Sequence, residues 1–255
     1  MDVDLVHGMA SDIVSCLQLD KNLPGRIIVV KEINGCDSTF IDCCVISNSI
    51  KNRSPVIFVS LHNSLSHFQN VGLKMNYNLQ KHVDSGLIEF YNFGEEILSN
   101  LLEHNNLTIE ELNLRVKDKV LAKQSRNEPV NIIVDGVSHL FDLGYSLKDV
   151  NTFCKQLFDL IRHSNNSFVL YHCNQASVDD VTHTMSNLLI HKAHTVVEVE
   201  NLQSGWSADV SGHMTVKHLG HKFQNEHMFT LDLKPARYLF KLFDRGVKLL
   251  APGTV

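Results

Sequence analysis

The 255-residue sequence predicts a single α/β domain: a mainly parallel sheet flanked by helices, extended at its C-terminal end by antiparallel strands. Three observations predict it. Short, continuous, β-branched runs recur along the chain, as strands buried on both faces require. Helical periodicity fills the intervals between them. From His194 onward the pattern turns to strict alternation, the mark of strands with one covered face. Residues 1–24 read as a lead-in and 194–255 as the antiparallel strands, with no repeat or long linker between.

Taken in order, residues 5–23 carry Ile13, Val14, Leu17 and Leu19 at helical spacing, ending near Pro24-Gly25. Ile27-Ile28-Val29-Val30 is the first buried strand. After the turn Glu32 to Asp37, Ser38 or Thr39 is placed to cap a largely apolar helix with Phe40, Ile41, Val45 and Ile46. Pro55 leads into the strand Val56 to Val59, then Asn63 or Ser64 caps a helix bearing Leu65, Phe68, Gly72 and Met75. Leu87 to Tyr91 is a further strand, followed by a helix around Ile97 to Leu102. Thr108-Ile109-Glu110-Glu111 and Ser146-Leu147-Lys148-Asp149 have the form of capping boxes, and between them Val130 to Asp135 reads as the most central strand. Phe168 to Tyr171 is the next strand, with Ser177 placed to cap the helix of Val178, Val181, Met185, Leu188 and Leu189. Val197/Val199, Met214/Val216, Phe229/Leu231/Leu233 and Tyr238 to Phe243 make the terminal strands.

Composition narrows the function. A net charge of −5 argues against unaided binding of nucleic acid over a large surface. The acidic start Met1-Asp2-Val3-Asp4 lacks signal-peptide character, and no apolar stretch approaches the ~20 residues that span a bilayer. The six cysteines lack C-x-x-C spacing, which indicates neither a disulfide framework nor a zinc site and suits a reducing compartment. Fifteen histidines prompt a search for metal spacing. His191/His194 and His218/His221, flanked by His213 and His227, are the only close pairs, and no acid or thiol completes a set. Solvated or core histidines are the favoured reading.

Strand, turn and buried helix at Arg26 to Ile50 is the arrangement that cradles nucleotide phosphates, but the turn departs from G-x-x-x-x-G-K-[ST] in either register. With Ser38 as the hydroxyl residue, Asp37 takes the lysine position and Cys36 the second glycine. With Thr39, Ser38 and Asp37 take them, and Gly35 is the only glycine. Asp135, ending its strand about a hundred residues later, occupies the place of a magnesium-holding carboxylate. Without the lysine it reads as structural, and Gln175, past its own strand, as a polar turn residue. Arg115, Lys117, Lys119, Lys123 and Arg126 stand against Asp118 alone. They suit the negative end of a helix dipole better than an RNA-contact stripe, for which they are the candidates. Two enzymatic alternatives stay open: an NTPase with an atypical site at Gly35 to Thr39 and Asp135, and a serine hydrolase using Ser138 in Gly136-Val137-Ser138.

Three groups of residues carry a family resemblance: Phe58 to Leu61 with Ser64 to Phe68 and Val71 to Lys74; Ile132 to Asp135 with Leu143-Gly144; and Leu202, Gly205, Asp209, Val210 and Gly212. In order and spacing the chain from Arg26 onward resembles the Elongator complex protein six family. The resemblance implies a RecA-like fold with a degenerate phosphate loop, no cofactor and no catalytic residues. It implies a heterohexameric ring with Elongator proteins four and five, two copies of each. That ring binds tRNA and serves the larger complex, which modifies wobble uridine. The expected location is the cytoplasm, with the nucleus as a second, and no membrane is involved.

Overall fold

In a computed structural model, residues 12–21, 23–105, 107–125, 128–202, 205, 207, 209–219 and 234–250 are described. Within them the chain builds one nine-stranded sheet in the order β3-β2-β4-β5-β1-β6-β7-β8-β9. These strands are β1 (Arg26–Ile33), β2 (Val56–Ser60), β3 (Ile88–Asn92), β4 (Asn131–Asp135), β5 (Phe168–Gln175), β6 (Thr195–Asn201), β7 (Gly212–His218), β8 (Ala236–Phe243) and β9 (Gly246–Leu250). The helices are α1 (Thr39–Lys51), α2 (Leu65–Lys74), α3 (Leu79–Asp84), α4 (Phe93–Leu102), α5 (Ile109–Gln124), α6 (His139–Asp142), α7 (Leu147–Ile161) and α8 (Val181–Lys192).

The continuous apolar runs are strands because both faces of the sheet are covered. On β1, Ile27 and Val29 enter one core with α4, α5, α7 and α8, while Ile28 and Val30 enter the other with α1 and α2. The second core also takes Met214, Val216, Phe240 and Val247 from the terminal strands, and Ile13 and Leu17 from the lead-in. Of that lead-in, residues 12–16 are helical, and residues 1–11 lie outside the described set. Both capping boxes form. Thr108 and Glu111 satisfy each other's backbone N–H at the start of α5, and Ser146 and Asp149 do so at α7.

Four expectations are corrected. First, β6 lies parallel to β1 and antiparallel to β7, so the antiparallel extension starts at Gly212 and not at residue 194. Alternation on β6 reports one-sided cover: Val197 and Val199 are buried while Glu198 and Glu200 reach towards solvent. Second, β5 runs to Gln175 because all eight of its residues pair with β1, so Gln175 ends a strand and is not in a turn. Third, α8 starts at Val181, where Asp180 accepts from Thr182 N–H; Ser177 does not cap it, and Val178 lies ahead of the helix, 70% exposed. Fourth, Ser38 holds the N-cap position of α1 without a side-chain cap, because its hydroxyl is turned to β5. Phe229, Leu231 and Leu233 fall outside the described residues, and β9 is a strand the alternation did not single out.

Candidate functional site

Four parallel strands, β1, β2, β4 and β5, end on one edge of the sheet, where open α/β sheets place their ligands. A cleft of about 340 Å³ opens there. Glu32 lines it from the end of β1, Gly35 and Asp37 from the turn that follows, Thr39 from the start of α1, His62 and Asn63 from the turn after β2, Asp135 and His139 from β4 and α6, and His172 and Asn174 from β5. Its lining includes three acids, Glu32, Asp37 and Asp135.

The backbone donors of the turn are already engaged by acids. Glu32 Oε1 accepts from Ser38 N–H at 2.7 Å, and Asp37 Oδ1 accepts from Thr39 N–H at 2.8 Å. Cys36 N–H donates to Ile33 O at 3.3 Å. Asn34 and Gly35, with φ of 56° and 68°, turn the chain through the left-handed region. A phosphate nest needs such donors free and a cation alongside; here two carboxylates hold two of the donors.

Behind the turn lies a buried ionic cluster. His172 Nδ1 sits 3.3 Å from Asp42 Oδ2 and 3.3 Å from Asp135 Oδ1, and Nε2 sits 3.0 Å from Glu32 Oε1 and 2.5 Å from Ser38 Oγ. Sheet order explains the meeting, because β5 lies between β1 and β4 and α1 follows β1 directly. Burial by itself would push His172 down, but its bonds to Asp135, Asp42 and Glu32 raise it well above the ordinary histidine value. The two aspartates diverge. Burial pushes Asp42 up to about 6 against the pull of His172, and among the described residues its Oδ1 has no hydrogen-bond partner. Asp135 is equally buried, but its bond to His172, the Asn63 N–H at 3.3 Å and the nearby His62 ring take it below the ordinary value.

Beside Asp135, the His62 and His139 rings stack at 4.1 Å. Gly136 has φ of 79°, and a Cβ there would lie 2.7 Å from the His139 ring, so only glycine fits the turn. Among the described residues no hydrogen bond joins Ser138 to a histidine: its Oγ accepts from Asn174 N–H at 2.9 Å, which ties α6 to β5, and no base for the nucleophile-elbow expectation is found there.

The basic residues of α5 are largely engaged. Arg115 pairs with Glu96 and lies over the Tyr91 and Phe93 rings. Lys119 lies 3.3 Å from Glu89, and Lys123 donates to Gly86 O at 3.0 Å. Lys117 is exposed, and Arg126 falls outside the described residues. Three of these cations thus tie α5 to α4 and to the β3 side of the sheet. Of the paired histidines, His194 Nδ1 accepts from Ile27 N–H at 3.0 Å and His218 Nδ1 lies 3.2 Å from Thr195 Oγ1, so both serve strand packing; His221 and His227 are outside the described set.

Residues 11–234 match the family model described as Elongation complex protein 6. The chain is 24% identical to Elongator complex protein 6 of Drosophila melanogaster over 96% of this chain and 97% of that one. It is 22% identical to the protein of that name from Danio rerio, over 91% and 92% of the two chains. With that of Mus musculus identity is 24%, over 92% and 93%.

Proposed function

This chain belongs to the Elongation complex protein 6 family, and from that premise we propose that it is a non-catalytic, RecA-like subunit of an Elongator ring. In this reading it joins Elongator proteins four and five, two copies of each, in a heterohexamer that binds tRNA and supports wobble-uridine modification. The chain contributes interfaces rather than chemistry. It works in the cytoplasm, with the nucleus as a second location, and among the described residues no helix is long and apolar enough to cross a membrane.

The observation that carries the reading is the turn after β1. Acidic side chains occupy the donors a triphosphate would use, Asp37 or Ser38, according to register, stands where a lysine would neutralise it, and Glu32, Asp37 and Asp135 all line the cleft. Each of those carboxylates repels an incoming phosphate. The fold does not need the nucleotide, because both faces of the sheet are already filled by side chains.

Ring closure needs two unlike interaction faces on each subunit. The two ends of the sheet supply them. Near β3, Leu98, Leu101 and Leu102 of α4 and Leu114 and Leu121 of α5 are exposed. At the far end, Leu242 and Phe243 of β8 are exposed instead. Co-expression with the two sister proteins, followed by native mass measurement, tests the proposal. A complex holding two copies of each chain is expected, whereas a monodisperse monomer that retains neither sister protein refutes it.

A further inference from the structure

The buried cluster has a geometry that hydrogen bonding accounts for poorly. A charged N–H···carboxylate bond settles at about 2.7–2.9 Å. Here one nitrogen, His172 Nδ1, stands 3.3 Å from an oxygen of each of two aspartates. A single Nδ1 proton cannot serve both well. The three donor atoms of Asp42, Asp135 and His172 lie within 4.8 Å of one another, and all three residues are buried.

We propose that Asp42, Asp135 and His172 form a binding site for one first-row divalent cation of the zinc class. Ligands at about 2.0–2.1 Å in tetrahedral array stand about 3.3–3.4 Å apart along each edge, which is the separation of Nδ1 from both aspartate oxygens. Octahedral magnesium at the same bond lengths would set them about 2.9 Å apart, and calcium prefers an all-oxygen shell. A nitrogen with two carboxylates is the donor set of a borderline ion.

Three further observations point the same way. Nε2, the other ring nitrogen, faces Glu32 Oε1 at 3.0 Å, the carboxylate partner that orients a metal-binding imidazole and leaves Nδ1 to the ion. Asp42 is 1% exposed, yet among the described residues its Oδ1, the oxygen beside the Oδ2 offered to the ion, has no hydrogen-bond partner, a costly state for a buried carboxylate. Glu32, Asp42 and Asp135 together outnumber the charge one imidazole can carry, and a divalent ion redresses that excess. Asp135 and His172 both line the cleft, which gives the ion an entry path and a source for a fourth ligand. The site does not depend on ring assembly and would hold in the isolated chain.

The test is a titration of the chelator-stripped full chain with Co²⁺, followed by its visible ligand-field bands and by displacement with Zn²⁺. One saturable tetrahedral site per chain is expected. Glu32→Gln should weaken it by about 10–100-fold, and Asp42→Asn should weaken it further. His62→Ala/His139→Ala, which removes the stacked rings at the cleft mouth, should bind like the wild type. Absence of saturable bands in the wild-type chain overturns the proposal. So does unchanged binding in folded Glu32→Gln and Asp42→Asn, or loss of the bands in the His62/His139 variant alone. If Asp42→Asn fails to fold, the wild-type and Glu32→Gln titrations still decide.

Discussion

Replacing His172 by glutamine removes the one cation that, among the described residues, Glu32, Asp42 and Asp135 share, at a side chain only 5% exposed. Removing one partner of a buried ion pair costs about 3–5 kcal/mol, since the remaining charge stays desolvated. In a chain of this size each kcal/mol shifts the melting temperature by about 2–4 °C, which gives a loss of roughly 6–20 °C. The pH dependence identifies the cause. His172 is raised above its unfolded value by its carboxylate partners, so its contribution is fully present below about pH 6.5 and is lost as pH rises through the folded value. Wild-type stability should therefore fall towards alkaline pH, and the gap to His172→Gln should narrow there. The assay is urea unfolding of both chains from pH 6.5 upward, with chelator present so that only the proton is at issue. A gap under about 1 kcal/mol with parallel pH curves would refute the ionic account of the cluster.

Other outcomes follow from packing and exposure. Gly94→Ala places a Cβ 2.4 Å from Leu61 O, a backbone atom that cannot swing aside; a loss of about 1–3 kcal/mol is expected in thermal or urea unfolding. Native thiol labelling at pH 8 should reach only Cys16, the one cysteine that is not buried, and slowly, because burial raises its thiol. Cys36, pushed to about 11 by burial and by Glu32, should stay unlabelled beside the cleft, and all six should react on denaturation. Leu102→Asp and Phe243→Asp, at exposed positions near opposite ends of the sheet, should each leave the isolated chain folded by circular dichroism. Each should also abolish recovery of a six-chain complex, and retention of the full complex by both variants would remove these faces from the ring interface.

The strands were legible because their apolar runs are local signals of burial on both faces, as at Ile27 to Val30 and Ile132 to Val134. Both capping boxes were legible for the same reason, since the bonds span three residues. Direction was not: alternation at Val197 and Val199 tells which face is covered, and β6 has that pattern while running parallel to β1. The cluster around His172 was the larger omission. Residues 32, 42, 135 and 172 meet only because β5 inserts between β1 and β4, and no short spacing encodes strand order. One trace did exist. Asp42 is a lone acid in an apolar stretch from Phe40 to Ile46, on a helix whose neighbours at 41, 43, 44, 45 and 46 are all buried, and a buried acid there implies a partner elsewhere. The partners of the α5 cations were not legible either, since they lie on α4 and at the β3 edge, not on their own helix.

Whether the cleft takes a nucleotide separates a scaffolding subunit from an NTPase most directly. Isothermal titration of ATP–Mg²⁺ into the purified chain should give no saturable heat, because Glu32 and Asp37 already hold the donors at the turn and Asp135 is held by His172 and Asn63. Saturable binding that disappears in Asp135→Ala would contradict it, and would return the chain to the working NTPases.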